Sequence, residues 1–470
     1  MKYSREMRLR QTTLLDGDYL QEVGVEPRGN AGVLSISPAS EGGRNDETVS
    51  SSSLLEEVIC RDNLNLAYKR VKSNKGSHGV DGMSVDELLP YLKQNGDSLK
   101  QEMLEGSYYP QPVRRVEIPK PDGGVRLLGI PTVQDRVIQQ ALSQVLEPIF
   151  NEDFSDSSYG FRPRRNAHQA IHKAQEHMEQ GYTWVVDIDL EKYFDTVNHD
   201  KLMALVARKV KDKRVLKLIR RYLNSGIMLN GVKVETEQGV PQGGPLSPLL
   251  SNIMLDELDK ELERRGHRFC RYADDCNIYM RSKKAAQRVM QNITTFLEDE
   301  LKLKVNKEKS KADRPWRRKF LGFSFYTHSK GIGIRVHPKS IARVKEKIRE
   351  ITSRSNGKSM EHRMLKLEQL ITGWTTYFGI ADMKGLAKSL DQWTRRRLRM
   401  CYWKQWKRIK ARHDNLVKLG VDNRKAWEYA NTRKGYWRVA VSHILTTTLN
   451  NEVLKKNGFL SFTDRLAKLR

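Results

Sequence analysis

Two adjacent carboxylates, Asp274-Asp275, stand between two strand-favouring runs, Phe269-Cys270-Arg271-Tyr272 and Cys276-Asn277-Ile278-Tyr279-Met280. Such flanks call for a β-hairpin with the acids at its tip. Like charges at a tight turn repel unless a cation offsets them, and hard carboxylate oxygens suit Mg²⁺. Taken alone, the pair fits a solvated acidic turn as well as a metal-binding one. Upstream, the apolar run Trp184-Val185-Val186-Asp187-Ile188-Asp189-Leu190 continues into Glu191-Lys192-Tyr193-Phe194-Asp195. It reads as a buried strand ending in acids, and buried strands rarely carry so many. A carboxylate from such a neighbouring strand would complete a two-metal site, one ion activating an attacking oxygen and the other stabilising a leaving one. For Asp187 and Asp195, strand-end solvation or helix capping is the simpler reading.

Around these segments strands and helices mix without a strict βαβ repeat, which favours an α+β core. Residues 54–70 have apolar positions at helical spacing and open the folded part. Helices are expected over 85–104, 135–150, 199–223, 246–264 and 285–301. Two short strands flank Pro121-Asp122-Gly123-Gly124, a hairpin follows around Gly231, and further strands are expected over 319–326 and 332–336. Beyond Pro338 the chain reads as mostly helical. Residues 16–53 are rich in Gly, Ser, Asp and Glu without an apolar period and read as a flexible tail.

Charge is unevenly spread. The 470 residues carry a net +27, and residues 331–470 hold 32 Lys+Arg against 11 Asp+Glu together with six of the eight tryptophans. A basic excess concentrated in one segment points to a polyanionic partner, with nucleic acid the commonest. The four cysteines, Cys60, Cys270, Cys276 and Cys401, form no CxxC pair, so neither a zinc site nor a disulfide scaffold is signalled. The expectation is a reduced, intracellular protein. No apolar run approaches the roughly 20 residues of a membrane span, and the basic start Met1–Arg10 lacks the apolar stretch of a signal peptide.

A third motif is Gly239-Val240-Pro241-Gln242-Gly243-Gly244-Pro245-Leu246-Ser247-Pro248. Its glycines let backbone approach a ligand closely and its prolines stiffen the entry to a helix. With this loop in view, the chain resembles the group II intron-encoded reverse transcriptases (intron maturases). Seven blocks carry the resemblance in the family's order: IPKPDGGVRLLGIPTVQDRVIQQAL (118–142), SYGFRPRRNAHQAI (158–171), VVDIDLEKYFDTVNHDKL (185–202), GVPQGGPLSPLLSNIMLDELD (239–259), RYADDCNIYM (271–280), LKVNKEKSK (303–311) and FLGF (320–323). The likeness runs from about residue 55 to the end, without the cysteine-paired C-terminal endonuclease of many relatives. It is therefore to the endonuclease-lacking bacterial class C type, which implies a bacterial cytoplasmic location.

The resemblance implies a right-hand polymerase of α+β type, with fingers and palm over 113–330. An N-terminal extension over 55–112 precedes it, after a flexible tail over 1–54. A helical thumb, or domain X, is expected over 331–410, and a basic DNA-binding tail over 411–470. It implies that Asp189, Asp274 and Asp275 hold two Mg²⁺ ions, with Mn²⁺ able to substitute. Asp189 is preferred to Asp187 because it stands six residues before Asp195, the family's spacing. Lys120 and Arg126 match the basic finger residues on the incoming triphosphate. Phe194 falls at the steric-gate position, and Leu190, Gln242 and Gly243 at nucleotide contacts. Lys309 matches a basic position without an assigned role. Arg395, Arg396 and Arg397 with Trp403, Lys404, Lys407 and Arg408 interleave cations and aromatics, a mixture suited to phosphate contact and base stacking. A helix with an aromatic core face and a solvated basic face would show the same pattern. The implied partners are an RNA template, a DNA or RNA primer, dNTPs, the parent group II intron RNA and target DNA. Alternative readings are a splicing factor with a vestigial polymerase site and a host-domesticated or defence-associated reverse transcriptase.

Overall fold

The computed structural model describes residues 53–119, 125–229, 232–234, 238–239, 243–329 and 331–470. The expectations for the tail before residue 53, for Lys120 and the turn at 121–124, for the turn at Gly231 and for Gln242 fall outside the described residues. The chain divides between Arg314 and Pro315 into two compact units. That division precedes the expected boundary at 330.

The first unit opens with α1 (Leu54–Ile59) and α2 (Arg61–Asn74), one expected helix broken at Cys60. Next comes α3 (Leu88–Glu105), which stops at Gly106 in the left-handed conformation. The strands β1 (Val113–Pro119) and β2 (Val125–Ile130) pair antiparallel, setting Ile118 opposite Arg126. In α4 (Val133–Asn151), capped by Thr132, the residues Val137, Ile138, Ala141, Leu142, Leu146 and Phe150 make a buried stripe. Each of these side chains larger than alanine, fully buried, contributes about 1.5–3 kcal/mol. Helix α2 lies on α4, where Asn63 donates to the Ala141 carbonyl at 3.1 Å and accepts from Gln144 at 2.6 Å.

An Asn166/Gln169 capping box starts α5 (Ala167–Glu179), a helix missed in the sequence. The strand β3 (Trp184–Ile188) is buried on both faces, which is why it reads as a continuous apolar run. After the single turn α6 (Tyr193–Thr196), the helix expected over 199–223 is two, α7 (His199–Lys209) and α8 (Lys213–Leu223). Asp212 makes the break: its carboxylate accepts from the backbone N–H of Arg214 at 2.9 Å and of Leu55 at 3.1 Å. A short hairpin, β4 (Ile227–Leu229) and β5 (Val232–Val234), joins the first sheet in the order β2-β1-β4-β5. Then come α9 (Ser247–Arg264), β6 (Arg268–Tyr272), β7 (Asp275–Met280), α10 (Lys283–Thr295) with a π-turn over Phe296–Glu300, and β8 (Lys311–Asp313). The second sheet has the order β6-β7-β3-β8 with every pair antiparallel. Helix α5 packs on β6 and α10 on β3.

After a 3-10 turn at Pro315–Arg317, the second unit forms a hairpin, β9 (Phe323–His328) and β10 (Gly331–Val336). It continues as α11 (Pro338–Ile351), α12 (Met360–Phe378) and α13 (Lys384–Gln405). The FLGF block belongs here because its aromatics pack on α12: Phe323 lies 5.0 Å from Phe378 and 5.4 Å from Tyr377, centroid to centroid, and the Tyr377 hydroxyl donates to the Leu321 carbonyl at 2.8 Å. Short helices follow: α14 (Ile409–Lys418), α15 (Asn423–Ala430), α16 (Tyr436–Val439), α17 (His443–Thr448), α18 (Asn451–Lys456) and α19 (Phe462–Ala467). Buried Asp391 fixes the last of these by accepting from the backbone N–H groups of Phe462 at 2.7 Å and Thr463 at 3.0 Å. Among the described residues no helix is long and apolar enough to cross a membrane.

Candidate active site

The expected acid-tipped hairpin is present, with Tyr272 paired to Asp275 across the two-residue turn Ala273-Asp274. Ala273 has φ 55°. A left-handed first position suits the twist of a tight hairpin but is normally filled by glycine. In a residue with a side chain such a conformation costs on the order of 1–3 kcal/mol and persists only when the surroundings over-determine it.

Those surroundings are specific. The Arg271 guanidinium donates to the Ala273 carbonyl at 3.0 Å, to Asn252 Oδ1 at 3.0 Å and from Nε to Asp259 Oδ1 at 2.7 Å. Arg271 and Asp259 are both fully buried. Burial alone would pull the guanidinium down, yet Asp259 holds it above its ordinary value. Asn252 also donates to the Gly160 carbonyl at 2.9 Å. Gly160 touches the turn so closely that a Cβ there would lie 2.3 Å from the Ala273 nitrogen. The sequence reading missed Arg271, Asp259, Asn252 and Gly160. The spacing of Asn252 and Asp259, two turns apart on one face of an otherwise apolar helix, was the available signal.

Asp189 is the first residue past β3. Its N–H donates to the Ser310 hydroxyl at 3.0 Å, and its carbonyl accepts from the Asn306 N–H at 2.8 Å. The last pair of β3 with β7 joins Ile188 to Cys276, so Asp189 and Asp275 occupy adjacent strand ends. Asp187 sits one pair deeper, buried, opposite Asn277 and Lys311, as a strand residue would.

Asp274 is exposed at the tip. Desolvation by the protein crowded around it nonetheless raises its carboxyl, while the Arg126 and Arg271 guanidiniums pull it down. Arg126, on β2, is therefore close enough to Asp274 for their charges to interact. Among the described residues no three His, Cys, Asp or Glu side chains converge into a metal-holding group. The donor set still fits a hard divalent cation: carboxylates on adjacent strand ends, one of them destabilised as an anion by its surroundings.

Phe194 is half-buried against Tyr193, edge to face at 5.2 Å, and the Tyr193 hydroxyl donates to the Ser251 carbonyl at 3.0 Å. Two glycines close the loop on this region. A Cβ on Gly239, at φ 99°, would lie 3.0 Å from the carbonyl oxygens of Phe194 and Asp195. One on Gly243, at φ 128°, would lie 2.7 Å from the Gly129 carbonyl on β2. Gly239 thus lies against the Phe194 turn and Gly243 against the strand that carries Arg126. Leu190 has its side chain in the core and its backbone bridged to Val305. Lys309 is exposed, its N–H donating to Asn306.

In the second unit the cation–aromatic stretch divides. Trp403, 1% exposed, lies in the core with Leu416, Val439 and Leu445, so it is corrected from a base-stacking residue to a packing one. Arg397 donates to the Thr352 hydroxyl at 2.5 Å and to backbone carbonyls, which makes it a structural cation as well. Arg396 stacks 3.8 Å from the Trp437 ring centre and Lys404 lies 5.2 Å from that of Tyr436. Arg395 is half-exposed, and Lys407 and Arg408 are open to solvent.

A family model for reverse transcriptase (RNA-dependent DNA polymerase) matches residues 118–325, and one for the group II intron maturase-specific domain matches residues 341–420. Protein YkfC of Escherichia coli K12 is 37% identical over 279 residues, 51% of this chain and 73% of YkfC. Group II intron-encoded protein LtrA of Lactococcus lactis is 40% identical over 196 residues, 42% of this chain and 32% of LtrA. An uncharacterized 91 kDa cob intron protein of Schizosaccharomyces pombe is 37% identical over 219 residues, 45% of this chain and 26% of that protein. The chain thus spans about a third or less of the two intron proteins. The reverse transcriptase match contains all three carboxylates and the Arg271 network, and the maturase match follows it in the same chain. The chain belongs to the group II intron-encoded reverse transcriptase and maturase family.

Proposed function

We propose that the chain is an RNA-directed DNA polymerase whose site comprises Asp189, Asp274 and Asp275, and that it binds its parent intron RNA to assist splicing and mobility. The observation that carries this reading is the placement of Asp189 and Asp275 on adjacent strand ends, with Asp274 at the turn and Arg126 within electrostatic range of it. The primer 3′-oxygen attacks the α-phosphate of a dNTP and pyrophosphate leaves in line. Mg²⁺ held by the three carboxylates, with Mn²⁺ as a substitute, would supply the positive charge that favours both the attacking and the leaving oxygen. Arg126, with Lys120, binds the triphosphate, where a fixed cation stabilises the charge of the transferring group. Phe194, braced by Tyr193, blocks a ribose 2′-hydroxyl. Gly243 and Gln242 contact the nucleotide, and Leu190 meets it through its backbone. The buried Arg271 pair holds the turn that carries Asp274.

The right-hand arrangement extends the α+β fold of the first unit with a thumb and a basic tail in the second. Template RNA is bound mainly through backbone and 2′-hydroxyl groups. Arg395, Arg396, Lys404, Lys407 and Arg408 contact nucleic acid, including target DNA. The test is extension of a DNA primer on an RNA template, alongside binding of the intron RNA. Extension by wild type that is lost in Asp189→Asn, with RNA binding intact, supports the reading. Tight intron binding with no extension by wild type replaces it with a splicing factor whose polymerase site is vestigial.

A further inference from the structure

The block that backs the catalytic turn carries two residues in a conformation that side chains disfavour. Phe161 has φ 55° and Arg164 has φ 59°. For a bulky aromatic such an angle is a genuine outlier. Phe161 is also 36% exposed, and Arg164 is exposed. A large ring held in a strained conformation with 36% of the residue still open to solvent is not placed there for full burial.

The loop is fixed on both sides of these residues. Gly160, immediately before Phe161, presses on the backbone of Ala273, and its carbonyl accepts from Asn252. Arg162 is 7% exposed; it donates to the Asn151 side chain at 2.9 Å and to the Ser158 carbonyl at 3.1 Å, and stacks 5.5 Å from the Phe154 ring centre. The capping box of Asn166 and Gln169 locks the exit into α5. Phe161 and Arg164 are therefore the aromatic and the exposed cation of this rigid loop, Phe161 one residue and Arg164 four residues from the glycine that touches the catalytic turn.

We propose that Phe161 and Arg164 form a seat for the primer strand beside the turn, the ring packing on a sugar or base and the guanidinium meeting a phosphate. The inference rests on the polymerase reading, because it is the primer's 3′-end that must reach the carboxylates. An aromatic face with a nearby cation is the pairing by which proteins hold a strand without reading its sequence.

The experiment measures equilibrium binding of a fluorescent DNA primer annealed to an RNA template, with the full chain as wild type, Phe161→Ala, Phe161→Gly and Arg164→Ala. Extension length per binding event, dNTP KM and Tm are followed in parallel. Glycine takes a positive φ without strain, so Phe161→Gly removes the ring while keeping the loop. The expected result is a Kd for primer–template raised about five- to a hundredfold in Phe161→Gly, shorter products, an unchanged dNTP KM and a Tm no lower than wild type. Arg164→Ala is expected to weaken binding and flatten its salt dependence. A Kd and product length equal to wild type in Phe161→Gly overturn the seat, as does a binding loss that only follows a fall in Tm. Wild type that binds primer–template but never extends it contradicts the polymerase reading instead, and the Kd comparison still decides the seat.

Discussion

Arg271 and Asp259 form an ion pair from which solvent is fully excluded, and the same guanidinium holds the carbonyl of Ala273 in the catalytic turn. Removing one partner of such a pair leaves an uncompensated buried charge, at about 3–5 kcal/mol. Arg271→Ala and Asp259→Ala are expected to lose that much in urea unfolding. Arg271→Lys keeps the charge but cannot serve Asp259, Asn252 and Ala273 together. It is expected to retain more stability than Arg271→Ala while losing most primer extension. Full activity in Arg271→Lys would show that the turn holds itself.

The glycines of the 239–244 loop make a separate prediction. Gly239→Ala forces a side chain to φ 99° and against two carbonyl oxygens, with a backbone cost of about 1–3 kcal/mol. Steady-state kinetics should show the dNTP KM rising more than primer affinity falls, because the loop touches the Phe194 turn.

Phe194→Ala is expected to raise incorporation of rNTPs relative to dNTPs by about 10- to 100-fold, the range in which a pocket discriminates by steric fit. The ratio of kcat/KM for matched ribo- and deoxyribonucleotides measures it. An unchanged ratio would remove Phe194 from the gate.

In the second unit, exposed and buried members of the same stretch should separate cleanly. Lys407→Ala and Arg408→Ala should each reduce the slope of log Kobs against log salt for RNA binding by about 0.7–0.9, with Tm unchanged. Trp403→Ala should instead destabilise by about 3–5 kcal/mol, read by thermal unfolding.

His177, 2% exposed and packed 5.3 Å from the Tyr279 ring centre, is pulled down to about 4 by burial, with nearby Lys173 adding to the effect. The unfolded chain binds that proton with an ordinary pKa near 6.5. Between these values the unfolded state carries more protons, so stability present above pH 6.5 is lost as the pH falls toward 4, at up to about 1.4 kcal/mol per pH unit. Urea midpoints for His177→Leu should show a flatter decline over that window.

The legible parts of this molecule were those with local causes. The hairpin at 268–280 was readable because both flanks favour strands and the acids leave room only for a turn. The continuous apolar run of β3 announced burial on both faces. What escaped depended on partners distant in sequence. The break between α7 and α8 at Asp212 needs the Leu55 N–H, 157 residues away. Trp403 and the cations near it looked alike for core and surface, because helical spacing shows which side chains share a face and not what covers it. Arg271 stands in the sequence only as part of a strand flank, and nothing local announces that Asp259 and Asn252 come beside it.

The central claim concerns Asp274, and the most direct measurement is the rate of dNTP addition to a DNA primer on an RNA template by wild type and Asp274→Ala at matched protein and Mg²⁺ concentrations. The account predicts template-dependent extension by wild type and none above background in the variant, with primer–template still bound and Tm preserved. Equal extension by the two proteins, or none by a folded wild type that binds the same duplex, would contradict it.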